Sequence, residues 1–66
     1  MKKRDLERTI HGLARKRGTT FVRVGGTRHD KYLLNGRVIM IPRHNEIGEM
    51  LAKEILKQCE KALKSR

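Results

Sequence analysis

The sequence predicts an α+β domain in the order α-β-β-β-α, with two helices covering one face of a three-stranded antiparallel sheet. Three observations predict it. Apolar residues recur at helical spacing near both ends of the chain. Short segments rich in β-branched and aromatic residues lie between them. Two of those segments are joined by Asn35-Gly36, the strongest short-range hairpin signal.

The first helix is expected over about residues 3–17, where Leu6, Ile10, Leu13 and Ala14 form one stripe and Lys and Arg fill the other face. Gly12 weakens it by about 1 kcal/mol relative to Ala, and Gly18 supplies a C-terminal stop. The first strand is expected from Thr19 to Val24, with Val22 and Val24 on one side, Phe21 and Arg23 on the other, and Gly25-Gly26 at its end. Asp30 to Leu34 and Arg37 to Ile41 form the hairpin, stopped by Pro42, which has no N–H for a ladder. Asn45 is the N-cap candidate for the last helix. Its stripe runs through Ile47, Leu51, Ile55, Cys59 and Ala62, flanked by Leu56 and Leu63. Lys57, Lys61, Lys64 and Arg66 come late, where they complement the helix dipole. This is the layout of a double-stranded-RNA-binding-like domain.

A two-residue turn at Asn35-Gly36 fixes the hairpin register. It pairs Leu34 with Arg37, Leu33 with Val38, Tyr32 with Ile39 and Lys31 with Met40. Tyr32, Leu34, Ile39 and Ile41 then face the helices. His29, Lys31, Leu33, Val38 and Met40 share the opposite face, polar at one end and aliphatic at the other. That face is either ordinary exposed apolar surface or a partner-binding patch beside an RNA-binding end.

The 66 residues suit one domain over 1–66, and a chain this short has a marginal core. One cysteine excludes an internal disulfide and agrees with a reducing, cytoplasmic setting. His11, His29 and His44 stand apart, without zinc-ligand spacing, so no metal or other cofactor is expected. The longest apolar run, Val38 to Ile41, is far too short for a bilayer, and no membrane role is expected. Asp5 and Glu7 follow the basic opening at once, unlike a signal peptide. Seventeen Lys and Arg against seven Asp and Glu give a formal charge of +10. Self-repulsion on that scale points to a polyanionic ligand, RNA or DNA. Only Phe21 and Tyr32 are aromatic, so backbone and shape contacts fit better than base stacking. A DNA-binding regulator is disfavoured because no helix-turn-helix pair exists.

Gly25 to Tyr32 is the densest functional candidate. Its glycines turn the backbone closely, and Gly26 and Thr27 can offer N–H groups to a phosphate. Arg28 and Lys31 are phosphate-binding cations, and Arg43 is a third near the loop. His29 can move a proton near neutral pH. By chemistry alone it is either a phosphate contact or a general base. His44 is either a packing or capping residue or a substrate contact. His11 reads as a solvated face residue and Tyr32 as core.

Taken whole, the chain resembles the HicA toxins, the ribonuclease halves of toxin–antitoxin pairs. The resemblance lies in Lys3-Arg4-Asp5-Leu6, in Phe21-Val22-Arg23-Val24-Gly25-Gly26, and in a histidine three residues before an aromatic (His29 to Tyr32). Ile39-Met40-Ile41-Pro42-Arg43-His44-Asn45-Glu46-Ile47 and Leu51-Ala52-Lys53 complete it. The commonest pattern in that family sets one small polar residue between glycine and histidine; Thr27-Arg28 makes this loop one residue longer. The resemblance implies a double-stranded-RNA-binding-like fold and metal-independent mRNA cleavage by one histidine, here His29. It also implies neutralisation by a HicB-like antitoxin that masks the site. A homodimer and a heterotetramer with the antitoxin are both open. In such a reaction His29 would take the proton of a ribose 2′-OH, with Arg28, Lys31 and Arg43 stabilising charge on the phosphate. A metal-dependent route lacks its parts, since only Asp30 and Glu46 lie near the loop and Asp30 alternates to the other sheet face. The competing function is a non-catalytic double-stranded-RNA-binding module of the same fold.

Overall fold

The computed structural model describes residues 1–64. Arg66 of the late basic cluster lies outside the described residues. The order is α1 (Lys3–Lys16), β1 (Phe21–Gly25), β2 (His29–Leu34), β3 (Arg37–Pro42) and α2 (Glu49–Lys64). The antiparallel sheet is ordered β1-β2-β3, and both helices pack on one of its faces. This is the double-stranded-RNA-binding-like arrangement that the sequence predicts.

Helix α1 buries Leu6, Ile10 and Ala14. It ends where Gly18 takes φ +70°. The Gly18 N–H bonds the Arg15 carbonyl and the Thr19 N–H bonds the Ala14 carbonyl, a Schellman ending. That ending leaves Thr19 and Thr20 outside β1. Within α1, a Cβ on exposed Gly12 would meet nothing within 4 Å. Gly12→Ala is therefore expected to raise stability by about 1 kcal/mol, read as a higher urea midpoint at unchanged slope. An unchanged midpoint would mean that tertiary packing, not propensity, limits this helix.

The β2–β3 register is the expected one, from Leu34 opposite Arg37 to Lys31 opposite Met40, and it continues to His29 opposite Pro42. Asn35 (φ 52°) and Gly36 (φ 82°) are both left-handed, as a type I′ turn requires. Asn35 also donates from Nδ2 to the Ala62 carbonyl at 2.9 Å, tying the hairpin tip to α2. Phe21, Tyr32, Leu34, Ile39 and Ile41 form the sheet side of the core. The Phe21 and Tyr32 rings stack with centroids 4.5 Å apart. The Tyr32 hydroxyl donates to Glu7, and burial, followed by that carboxylate, pushes the phenol well above its usual range. Tyr32 is core, as expected.

The last helix departs from the expected start. Residues 45–47 lie antiparallel to residues 1–3: the Lys3 N–H bonds the Asn45 carbonyl at 2.8 Å, and the Ile47 N–H bonds the Met1 carbonyl at 2.7 Å. With its backbone engaged there, Asn45 does not cap α2. The helix opens at Glu49, and the Gly48 carbonyl accepts from the Ala52 N–H. Ile47 is buried just ahead of the helix, while Ala52, Ile55, Cys59, Ala62 and Leu63 fill its inner face. Leu51 sits on the margin of that stripe in the first turn and is 43 % exposed. Cys59 is fully buried, and burial pushes its thiol up to about 11. It is a packing residue and not a nucleophile.

Candidate functional site

The site is built where β1 passes into β2. Arg23 pairs with Tyr32 and Gly25 with Lys31, so Val24 is an extra residue on β1. Such a bulge bends the strand and sharpens its twist. Gly26 follows at φ +123°, and a Cβ on it would stand 2.0 Å from the His29 carbonyl oxygen and 2.9 Å from the Lys31 nitrogen. The backbone of residue 26 is thus pressed against the start of β2. Only glycine permits that approach.

This folding back creates a shallow recess lined by Gly26, Thr27, Arg28, His29, Lys31 and Met40. Arg28, His29 and Lys31 are exposed. Strand alternation puts His29 and Lys31 on the sheet face that carries no helix, beside Met40 opposite Lys31. The recess therefore holds one imidazole, two cations and a close-turning backbone at one mouth. Such a set can seat a phosphodiester and shuttle a proton.

Five of the residues singled out from sequence share this recess: Gly26, Thr27, Arg28, His29 and Lys31. Arg43 reaches the same loop from behind. Its Nε donates to Asp30 Oδ1 at 3.1 Å and its Nη1 to the Thr27 carbonyl at 2.9 Å. His44 is exposed in the turn after β3 and does not line the recess. His11 is exposed on α1, its ring edge-on to Phe21 at 5.0 Å.

Sequence reasoning did not find the charge cluster beneath the loop. Asp30 follows His29 directly, so its side chain points to the helix side, where it is only 7 % exposed. Lys3 from α1 donates to its Oδ2, and Arg23 from β1 donates to its Oδ1 at 3.1 Å, alongside Arg43. The Lys3 bond foremost, then Arg23 and Arg43, hold the Asp30 carboxyl well below the usual carboxylate range. The available signal was parity: a carboxylate at an inward strand position must find cations.

From Met40 at the edge of the recess, the bare sheet face continues into Val22, Val24 and Val38, all four about half exposed. Among the described residues no helix is long and apolar enough to cross a membrane. The family model of the HicA toxin of bacterial toxin–antitoxin systems matches residues 8–60, which span β1, the glycine loop, the hairpin and most of α2. No curated protein and no solved structure matches the chain. The matched span covers the recess and all of its lining residues, and the fold is the one the resemblance implied. The chain belongs to the HicA toxin family.

Proposed function

We propose that this toxin is a metal-independent endoribonuclease that cleaves mRNA with His29 as its proton-transfer residue and is neutralised by a HicB-like antitoxin. The observation that carries the reading is the exposed His29 ring in a recess with Arg28 and Lys31. Imidazole takes the proton of a ribose 2′-OH; the 2′-oxygen attacks the adjacent phosphorus as the bond to the 5′-oxygen breaks. That oxygen leaves with a proton from imidazolium or water. The products are a 2′,3′-cyclic phosphate and a 5′-hydroxyl end. Arg28 and Lys31 stabilise the charge that builds on the phosphoryl oxygens.

The rest of the surface supports a polyanion. Arg4, Arg8 and Arg15 recur along the exposed side of α1, a row of positive charge that adds to the attraction for a polyanion. The half-exposed Val22, Val24, Val38 and Met40 offer an apolar platform continuous with the recess through Met40. An antitoxin seated on that platform would cover His29 and the apolar surface together.

The test uses the purified chain, a defined RNA and excess EDTA. Cleavage is expected to persist in EDTA, to leave 2′,3′-cyclic phosphate ends, and to stop on a substrate whose 2′-OH groups are methylated. RNA affinity is expected to fall steeply with salt, on the order of tenfold or more per few-fold rise in concentration, as several phosphates release their counterions. Cleavage of the 2′-O-methyl substrate, or strict need for a divalent metal, would overturn the mechanism. Binding without any cleavage would leave an RNA-binding module.

A further inference from the structure

Asp30 is the one charged residue buried among the described residues. Three cations from three segments converge on it: Lys3 of α1, Arg23 of β1 and Arg43 just past β3. Buried ion clusters are a poor source of stability compared with apolar packing. This cluster does something packing cannot. It lies one residue from His29, on the opposite side of the sheet, and one of its arms extends beyond it. Arg43 uses Nε on Asp30 and Nη1 on the Thr27 carbonyl, so a single planar guanidinium links the buried carboxylate to the loop that frames the recess. Lys3 and Arg23 hold the carboxylate, the carboxylate orients the guanidinium, and the guanidinium holds the loop.

We propose that Asp30 and Arg43 are positioning residues for His29: the Lys3–Asp30–Arg23 cluster aims Arg43, and Arg43 fixes the Thr27 carbonyl and with it the pose of the recess. The inference rests on the nuclease reading of His29 and gives Arg43 a role other than phosphate binding.

The decisive variant is Arg43→Lys, which keeps the charge but replaces the two-armed fork with a single head. A residue that acts on phosphate by its charge alone survives that exchange; a two-armed bridge does not. The expected result is a fall in kcat of roughly tenfold to a hundredfold, the scale of small misplacements in an active site. KM and the salt dependence of RNA binding are expected to stay within about twofold, because the number of cations is unchanged. Asp30→Asn is expected to show the same loss in kcat without weaker binding. Should Asp30→Asn fail to fold by circular dichroism, Arg43→Lys carries the test alone, since Arg43 is half-exposed. Unchanged kcat in Arg43→Lys, or a loss confined to KM, overturns the proposal.

A second readout separates this inference from the nuclease reading. Backbone ¹⁵N order parameters at Thr27, Arg28 and His29 are expected to drop in Arg43→Lys relative to wild type. If wild type shows no His29-dependent cleavage, the nuclease reading falls, and the loop measurement still decides: a drop upholds the bridge, and unchanged order overturns it.

Discussion

His29→Ala is expected to lower single-turnover RNA cleavage by about 10²–10⁴-fold, the usual worth of a positioned acid–base group. RNA affinity should stay within about twofold, because affinity of this kind is carried by cations facing phosphates. The substitution is clean. The ring is exposed and lies on the sheet face without helices, so its removal opens no cavity and breaks no core contact. Surface changes of that kind alter stability by about 0.5 kcal/mol or less. A lost rate with matched thermal unfolding therefore reports chemistry. His29→Gln, which keeps polarity without proton transfer, should be as slow as the alanine variant. Cleavage at wild-type rate in either variant would remove His29 from the mechanism.

Gly26→Ala is expected to have the next largest effect, and by a backbone route. A methyl group at residue 26 would sit 2.0 Å from the His29 carbonyl oxygen, so the start of β2 must move away. The left-handed φ of +123° adds strain on the order of 1–3 kcal/mol for any residue with a Cβ. Cleavage per folded molecule should fall by roughly 10²-fold, since the displaced strand is the one that carries His29. Gly36→Ala is the matching control. It too has positive φ, +82°, but a Cβ there meets nothing within 4 Å and the turn lies at the far end of the sheet. It should destabilise the fold, seen as a lower urea midpoint, and leave the rate per folded molecule unchanged. Equal rates in Gly26→Ala and wild type would show that the tight approach of loop and strand is not needed for activity.

Much of this was legible in the order of residues. The Asn35-Gly36 dipeptide fixed a turn type, the turn type fixed the register, and the register put Tyr32 inside and His29 outside. Each step is local chemistry, which is why it held. The start of α2 was not legible, because Asn45 and Ile47 are held by the main chain of residues 1–3, more than forty positions away. Capping preference could not compete with that long-range pairing. The bulge at Val24 was hidden for a similar reason: it is a property of the β1–β2 pair and not of β1. In the site, composition and spacing found the loop, while the Asp30 cluster needed three separate segments to be brought together.

The adjacency of His29 and Asp30 constrains how this chain can change in length. Consecutive strand residues project to opposite sides, so one residue inserted or deleted between Asp30 and the buried Tyr32 would turn the imidazole toward the hydrophobic interior and leave the carboxylate stranded in water. The stretch between Gly26 and His29 is free of that restriction, because it precedes the paired ladder and has no parity to lose. That is where a change in length is expected to be tolerated. An extra amino acid there would reshape the mouth of the recess while the imidazole and the carboxylate behind it keep their places.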